Sequence, residues 1–153
     1  MAPAVSRSSL GYSFWYGPGG EVKCRVAEEA MAAMKVKVRW MARRTVGQGL
    51  GEVVQRLRVY LLGGKGYFRP AETPGVFRRL GQWIRYRLRA LQLKQWKRGR
   101  TAYRALRGPG ASRDLAAKMP AGTRRWWHTS HRYLHAVLTN RFFARMGLPQ
   151  RAP

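Results

Sequence analysis

The hydrophobic pattern of the chain changes period several times. Leu10, Tyr12, Phe14 and Tyr16 alternate with Gly11, Ser13 and Trp15, and the alternation resumes through Val22, Cys24 and Val26. Gly17-Pro18-Gly19-Gly20 separates the two runs, so residues 10–26 read as a β-hairpin with a glycine-rich turn. An isolated hairpin is marginal in water, so this one must pack on something. From Ala27 to about Arg44 the period becomes helical, with Met31, Met34, Val38 and Met41 at steps of three and four. Gly47, Gly49 and Gly51 interrupt that pattern. Leu50, Val53, Val54, Leu57 and Leu61 then mark a second amphipathic helix, expected to end at Gly63-Gly64. Both stripes read as core.

Thr73-Pro74 opens the longest helix, with Thr as N-cap and Pro at the first helical position. Val76, Phe77, Leu80, Trp83, Ile84, Leu88 and Leu91 share one face, and Arg78, Arg85 and Arg89 are expected on the opposite one. Arg87 falls inside the apolar arc, where it would snorkel or pair with an acid such as Glu72. Short helices follow at Thr101 to Arg107, from Ser112 through Lys118, and from Thr129 or Ser130 through Leu138. A last turn or two begins at Thr139 or Asn140 and ends at Gly147-Leu148-Pro149. The fold class is mainly α: an N-terminal β-hairpin at 10–26, then a bundle of short and medium helices over 27–149. Residues 1–9 have no period and read as a disordered N-terminus, and 150–153 as a tail.

Charge sharpens the picture. The 153 residues carry 31 Lys+Arg against 6 Asp+Glu, a formal net charge of +25, and 24 of the cations are Arg. Arg presents a planar fork of donors that matches phosphate, whereas Lys is a point charge. A protein that repels itself this strongly implies a polyanionic partner. With 45% hydrophobic residues and six Trp the chain is too apolar for a disordered basic arm. No apolar run reaches the roughly 18 residues of a membrane span, and no signal-peptide core is present near the N-terminus. The single Cys24 allows no internal disulfide and reads as a buried structural thiol in a reducing, cytoplasmic setting.

The acids are Glu21, Glu28, Glu29, Glu52, Glu72 and Asp114. Two-metal nucleotidyl transfer needs carboxylates converging on ions about 4 Å apart, and one isolated Asp cannot supply them. The chain alone is therefore not expected to be an enzyme, and no catalytic or metal-binding residue or cofactor is assigned. Between Arg78 and Arg107 there are eleven Lys/Arg and no acid. With no Glu spaced to form i,i+4 pairs, these like charges repel unless an anion sits among them.

Several landmarks occur in order: Leu10-Gly11-Tyr12-Ser13-Phe14, Gly63-x-x-Gly66-Tyr67-Phe68, Thr73-Pro74, Trp83-Ile84-Arg85, Arg87-Leu88-Arg89, Lys94-Gln95-Trp96-Lys97-Arg98 and Trp127. As an ordered set over about Leu10 to Pro149 they resemble the C-terminal part of group II intron-encoded reverse transcriptases, which act as maturases for their own introns. The resemblance implies that the hairpin is the end of a polymerase palm and that the helices are the thumb, or domain X. It implies binding of intron RNA to assist splicing, whose chemistry belongs to the RNA. The family's Tyr-x-Asp-Asp motif does not occur, and neither do the paired Cys-x-x-Cys motifs of its optional endonuclease domain. Gly64 stands where the family usually has an aromatic, and Met119-Pro120-Ala121-Gly122 breaks a helix that the family tends to continue. The expectation is a truncated copy or a separately encoded maturase domain. Its partner would be group II intron RNA or another structured nucleic acid, or in addition a separately encoded palm fragment. Alternative readings are a sequence-tolerant nucleic-acid-binding protein, one piece of a split reverse transcriptase, or a gene remnant.

The candidate RNA-binding residues are Arg78, Arg85, Arg89, Lys94, Trp96, Lys97, Arg98, Arg100 and Arg104, which would meet phosphates and sugars. Trp96 either stacks on a base or ribose or packs on a neighbouring helix. Trp83 reads as core. Lys65 and Arg69 flank Tyr67-Phe68 in a glycine-rich segment between helices, which the resemblance places near the RNA; the two aromatics alone would simply cover the bundle. Arg124 and Arg125 precede Trp126-Trp127-His128 as a second basic aromatic cluster, with Trp127 expected in the core. His128, His131 and His135 have helical spacing that could hold a metal, but their cationic surroundings and lack of nearby carboxylates favour phosphate contact or plain surface.

Overall fold

The computed structural model describes residues 8–9, 11–43, 47–67, 74–96, 104 and 134–149. Three short strands lead into helices: β1 (Ser8–Ser9), β2 (Tyr12–Tyr16), β3 (Val22–Val26), α1 (Glu28–Met41), α2 (Leu50–Tyr67), α3 (Pro74–Gln95), α4 (Leu134–Val137) and α5 (Asn140–Arg145). The mainly helical class with an N-terminal hairpin is the one expected from the periodicity. The short helices expected around Thr101 to Arg107 and from Ser112 through Lys118 lie outside the described residues, apart from Arg104, which is helical.

β2 and β3 pair antiparallel with Tyr12 opposite Val26, Phe14 opposite Cys24 and Tyr16 opposite Val22. The turn follows from its glycines. Gly20 has φ +80°, a region that L side chains avoid, and its N–H donates to the Gly17 carbonyl at 3.0 Å. Ser8 and Ser9 also pair with Ser13 and Tyr12, so the sheet has a third, edge strand where the period suggested only a loose end. Two residues of polar serine carry no alternation to read.

The sheet hands over to α1 through one bond: the Ala27 N–H donates to the Gly11 carbonyl at 2.9 Å. Glu28 and Glu29 in the first turn and Arg39 in the last complement the helix dipole. Met31, Met34, Val38 and Met41 are all buried, as their spacing requires. In α2 the stripe Leu50, Val53, Val54, Leu57 and Leu61 is likewise buried. Its start resembles a capping box: Glu52 accepts from the Gly49 N–H at 3.2 Å, three residues before it.

The end of α2 corrects the reading from glycine. The helix runs through Gly63-Gly64 to Tyr67, and neither glycine takes a positive φ. Each costs about 1 kcal/mol in a helix relative to Ala, too little to stop one already anchored by Leu57 and Leu61. Lys65 therefore lies on the helix rather than in a turn.

Phe77, Leu80, Ile84, Leu88 and Leu91 of α3 close the core against α1 and α2, while Val76 at the first turn is exposed. The segment 134–149 packs on the same core through Leu134, Leu138, Phe143 and Leu148. Thr139 caps α5 by accepting from the Phe142 N–H at 3.2 Å. Gly147, at φ +95°, ends it: its N–H donates to Ala144 and the Leu148 N–H to Phe143, the Schellman pattern.

Candidate nucleic-acid interface

α3 packs on two sides, and that decides what its arginines do. Its apolar arc meets α1 and α2. Its other side meets 134–149, and Arg85 and Arg89 are enclosed there, only 6% and 3% exposed. Arg89 Nε donates to the Leu138 carbonyl at 2.8 Å, its Nη2 lies 3.4 Å from Asn140 Oδ1, and its guanidinium carbon is 5.5 Å from the Phe143 ring centre. Arg85 Nη2 reaches the Pro149 carbonyl at 3.4 Å. Burial, and then the neighbouring Arg85 charge, push the Arg89 guanidinium down to about 10, and burial lowers that of Arg85. Both stay charged at neutral pH. The expectation that Arg85 and Arg89 form an open face opposite the core is therefore corrected. They bind the C-terminal segment to α3.

The other predicted residues separate into three groups. Arg78, Lys94 and Arg104 are exposed and available to an anionic partner. Trp96 is half-buried and packs against the core, the second of its two readings. Arg69, Lys97, Arg98, Arg100, Arg124 and Arg125 lie outside the described residues, as do Trp127, His128 and His131. His135 is exposed on α4, and among the described residues no group of three His, Cys, Asp or Glu side chains is placed to hold a metal. Cys24 is half-buried in β3.

The structure adds basic aromatic positions that the sequence reading passed over. Trp40 is 52% exposed on α1, with Lys37 Nζ 5.1 Å and the Arg56 guanidinium 5.3 Å from its ring centre. Arg56 is itself held by donating to Gln48 Oε1, and the Gln48 carbonyl accepts from Gln95 at the end of α3. A second stack forms between helices: Arg39 of α1 and Arg87 of α3 lie 5.4 and 5.3 Å from the Trp83 ring centre. This accounts for Arg87 inside the apolar arc, where it stacks on Trp83, itself packed half-buried on the core. Such cation–π contacts are worth about 0.5–1 kcal/mol at exposed sites. The sequence signal was present: Trp40 falls off the Met31/Met34/Val38/Met41 stripe, with Lys37 one turn before it.

α1 and α2 thus bring Lys37, Trp40 and Arg56 together, and α1 and α3 form the separate stack of Arg39 and Arg87 on Trp83. The model of the group II intron maturase-specific domain matches residues 31–108, just over half of the chain. The chain belongs to that family. Among curated proteins no relative matches it. The match covers α1 from Met31 onward and α2 and α3 whole, so both cation–aromatic stacks lie within it, as do Arg85 and Arg89, whereas their partners in 134–149 lie beyond it. A maturase-specific domain is not a catalytic one. Among the described residues, no helix of this maturase-type domain is long and apolar enough to cross a membrane.

Proposed function

We propose that the chain is an RNA-binding maturase domain, which grips the RNA of a group II intron and assists its splicing without performing phosphoryl transfer itself. One observation carries the reading: an exposed Trp40 held between Lys37 and Arg56, within the maturase-specific domain of a chain whose net charge is +25. An exposed aromatic ring flanked by cations suits a base or ribose on its face and phosphates beside it. Arg78, Lys94 and Arg104, with Lys97, Arg98, Arg100, Lys65, Arg69, Arg124 and Arg125, extend the phosphate contacts. If six to ten phosphates are neutralised, affinity falls by about 10³–10⁵ between 50 and 200 mM salt.

A competition titration at near-physiological salt tests this. Labelled group II intron RNA competes against unrelated structured RNA and duplex DNA. Preference for the intron that survives added salt supports the maturase role. Equal competition leaves only a sequence-tolerant basic surface and overturns it.

The hairpin supports a second, compatible element of the reading. Tyr16 and Val22, opposite each other, are 67% and 61% exposed, beside the more sheltered Phe14 and Trp15. This apolar end of the sheet fits against the rest of a polymerase palm, in the same polypeptide or separately encoded. Co-purification of this chain with a palm fragment, lost in Tyr16→Ser/Val22→Ser, is the expected result.

A further inference from the structure

α2 carries an acid and a base at the spacing that pairs best. Glu52, the only acid of this helix, precedes Arg56 by four residues, the order in which opposite charges on a helix face attract most. Among the described residues the two nevertheless form no ion pair. Each is engaged by the segment that leads into the helix. Glu52 Oε2 accepts from the Gly49 N–H at 3.2 Å, and Arg56 Nη1 donates to Gln48 Oε1. Gly47-Gln48-Gly49 therefore holds the two charges apart and leaves the guanidinium 5.3 Å from the Trp40 ring centre.

Two features fix that segment. Gly47 takes φ +71°, a conformation that glycine adopts without strain. The Gln48 carbonyl accepts from Gln95 Nε2, which ties the segment to the last residue of α3. Both amide orientations follow from chemistry. A carbonyl can only accept, so Gln95 presents its NH2, and a guanidinium can only donate, so Gln48 presents its oxygen. The neutrality of Gln48 matters as much as its reach. A carboxylate at position 48 would hold Arg56 and also cancel its charge. The amide oxygen uses one of five N–H donors and leaves the charge to an outside anion. A side chain already held in place loses less freedom when it meets a phosphate.

We propose that Gln48 is a positioning residue for RNA binding: it keeps Arg56 away from Glu52 and on the Trp40 ring, so that the cation meets a phosphate beside the stacked nucleotide. The proposal rests on the RNA-binding reading above and names what stops that site from neutralising itself.

The test titrates labelled intron RNA with the full chain and its Gln48→Ala, Glu52→Gln and doubly substituted variants. Glutamine at position 52 can still accept from the Gly49 N–H, so the helix start is kept, which circular dichroism checks. Gln48→Ala should bind about fivefold more weakly, with a salt slope shallower by about 1, because Arg56 then pairs with Glu52. Adding Glu52→Gln should recover more affinity in Gln48→Ala than it adds to the unaltered chain, a coupling that a merely structural role for Gln48 does not produce. Equal gains in both backgrounds overturn the proposal. A nuclear Overhauser contact between the Arg56 side chain and the Trp40 ring reads the positioning without RNA. It should be lost in Gln48→Ala, return in the double variant and persist in Gln48→Glu, which still binds RNA more weakly because it neutralises Arg56. Persistence of the contact in Gln48→Ala overturns the positioning role, and so does unweakened binding by Gln48→Ala where Trp40→Ala binds more weakly. Unchanged binding in Trp40→Ala as well locates the failure in the RNA reading of the ring instead.

Discussion

Arg89 Nε donates to the carbonyl oxygen of Leu138 at 2.8 Å, a contact that spans 49 residues of sequence and is buried at both ends. The bond joins α3 to a C-terminal segment whose own helices have only four and six residues and cannot hold themselves. A basic residue in a maturase-type domain is readily assigned to RNA. Here the position of the partner decides otherwise: the charge satisfies a backbone carbonyl that would otherwise be buried bare.

Arg89→Ala is therefore expected to destabilise the fold. It removes a hydrogen bond to a charged group, worth about 1.5–3 kcal/mol, and leaves the Leu138 carbonyl without its donor. Urea unfolding should show a lower midpoint, and amide exchange should accelerate first in 134–149. Arg89→Lys keeps the charge but not the two-point grip, and should recover only part of the loss. An unchanged midpoint in Arg89→Ala would refute the clamp.

Trp40 gives the complementary case. Its ring is half open to solvent and carries two cation–π contacts of about 0.5–1 kcal/mol each, so Trp40→Ala should cost no more than about 2 kcal/mol of stability. If the stack carries RNA, affinity should fall by about 1–3 kcal/mol, roughly five- to 150-fold. Trp40→Phe should retain much of it. Equal affinities for Trp40→Ala and the unaltered chain would remove this ring from the interface.

What could be read ahead of the structure divides by physical cause. Met31, Met34, Val38, Met41 and the α2 stripe were legible because one helix face against one core leaves a periodic trace. The Thr139 cap and the Gly147 stop were legible because few residues do those jobs. Arg85 and Arg89 were not, because a helical wheel shows one apolar arc and is silent about a second partner packing from another side. Gly63-Gly64 misled because the glycine penalty is small beside tertiary anchoring. The Trp40 stack was half legible: its place off the stripe was visible, but Arg56, 16 positions on, joins it only through the packing of α1 on α2.

Glu21 should make the hairpin sensitive to acid. Its own backbone N–H, the Lys23 ammonium and the Gly19 N–H hold the carboxyl below its ordinary value of 4.5. The Lys23 Nζ lies 3.1 Å from Oε1. Because the folded pKa is depressed, the stabilisation is present above the unfolded value and is lost as pH falls through the folded one. Cross-strand amide exchange between Ser13 and Arg25 should thus speed up below pH 4.5, beyond the intrinsic pH effect. Glu21→Gln should exchange faster at neutral pH and lose this dependence. A variant that keeps the dependence would place its origin elsewhere.

Gly63 offers a change that should strengthen the protein. It sits inside α2 with helical φ, is exposed, and a Cβ built there meets nothing within 4 Å. Alanine at such a site restricts the unfolded chain and removes the helix penalty of glycine, a gain of about 0.4–1 kcal/mol. Gly63→Ala should therefore raise the urea midpoint while leaving the slope of the transition unchanged, since no buried surface is altered. Gly20→Ala is the control of opposite sign. Space is equally free there, but φ +80° strains any L side chain, so that variant should lose about 1 kcal/mol. If Gly63→Ala destabilised as Gly20→Ala does, α2 would end near the double glycine after all, and the segment bearing Lys65 would revert to a turn.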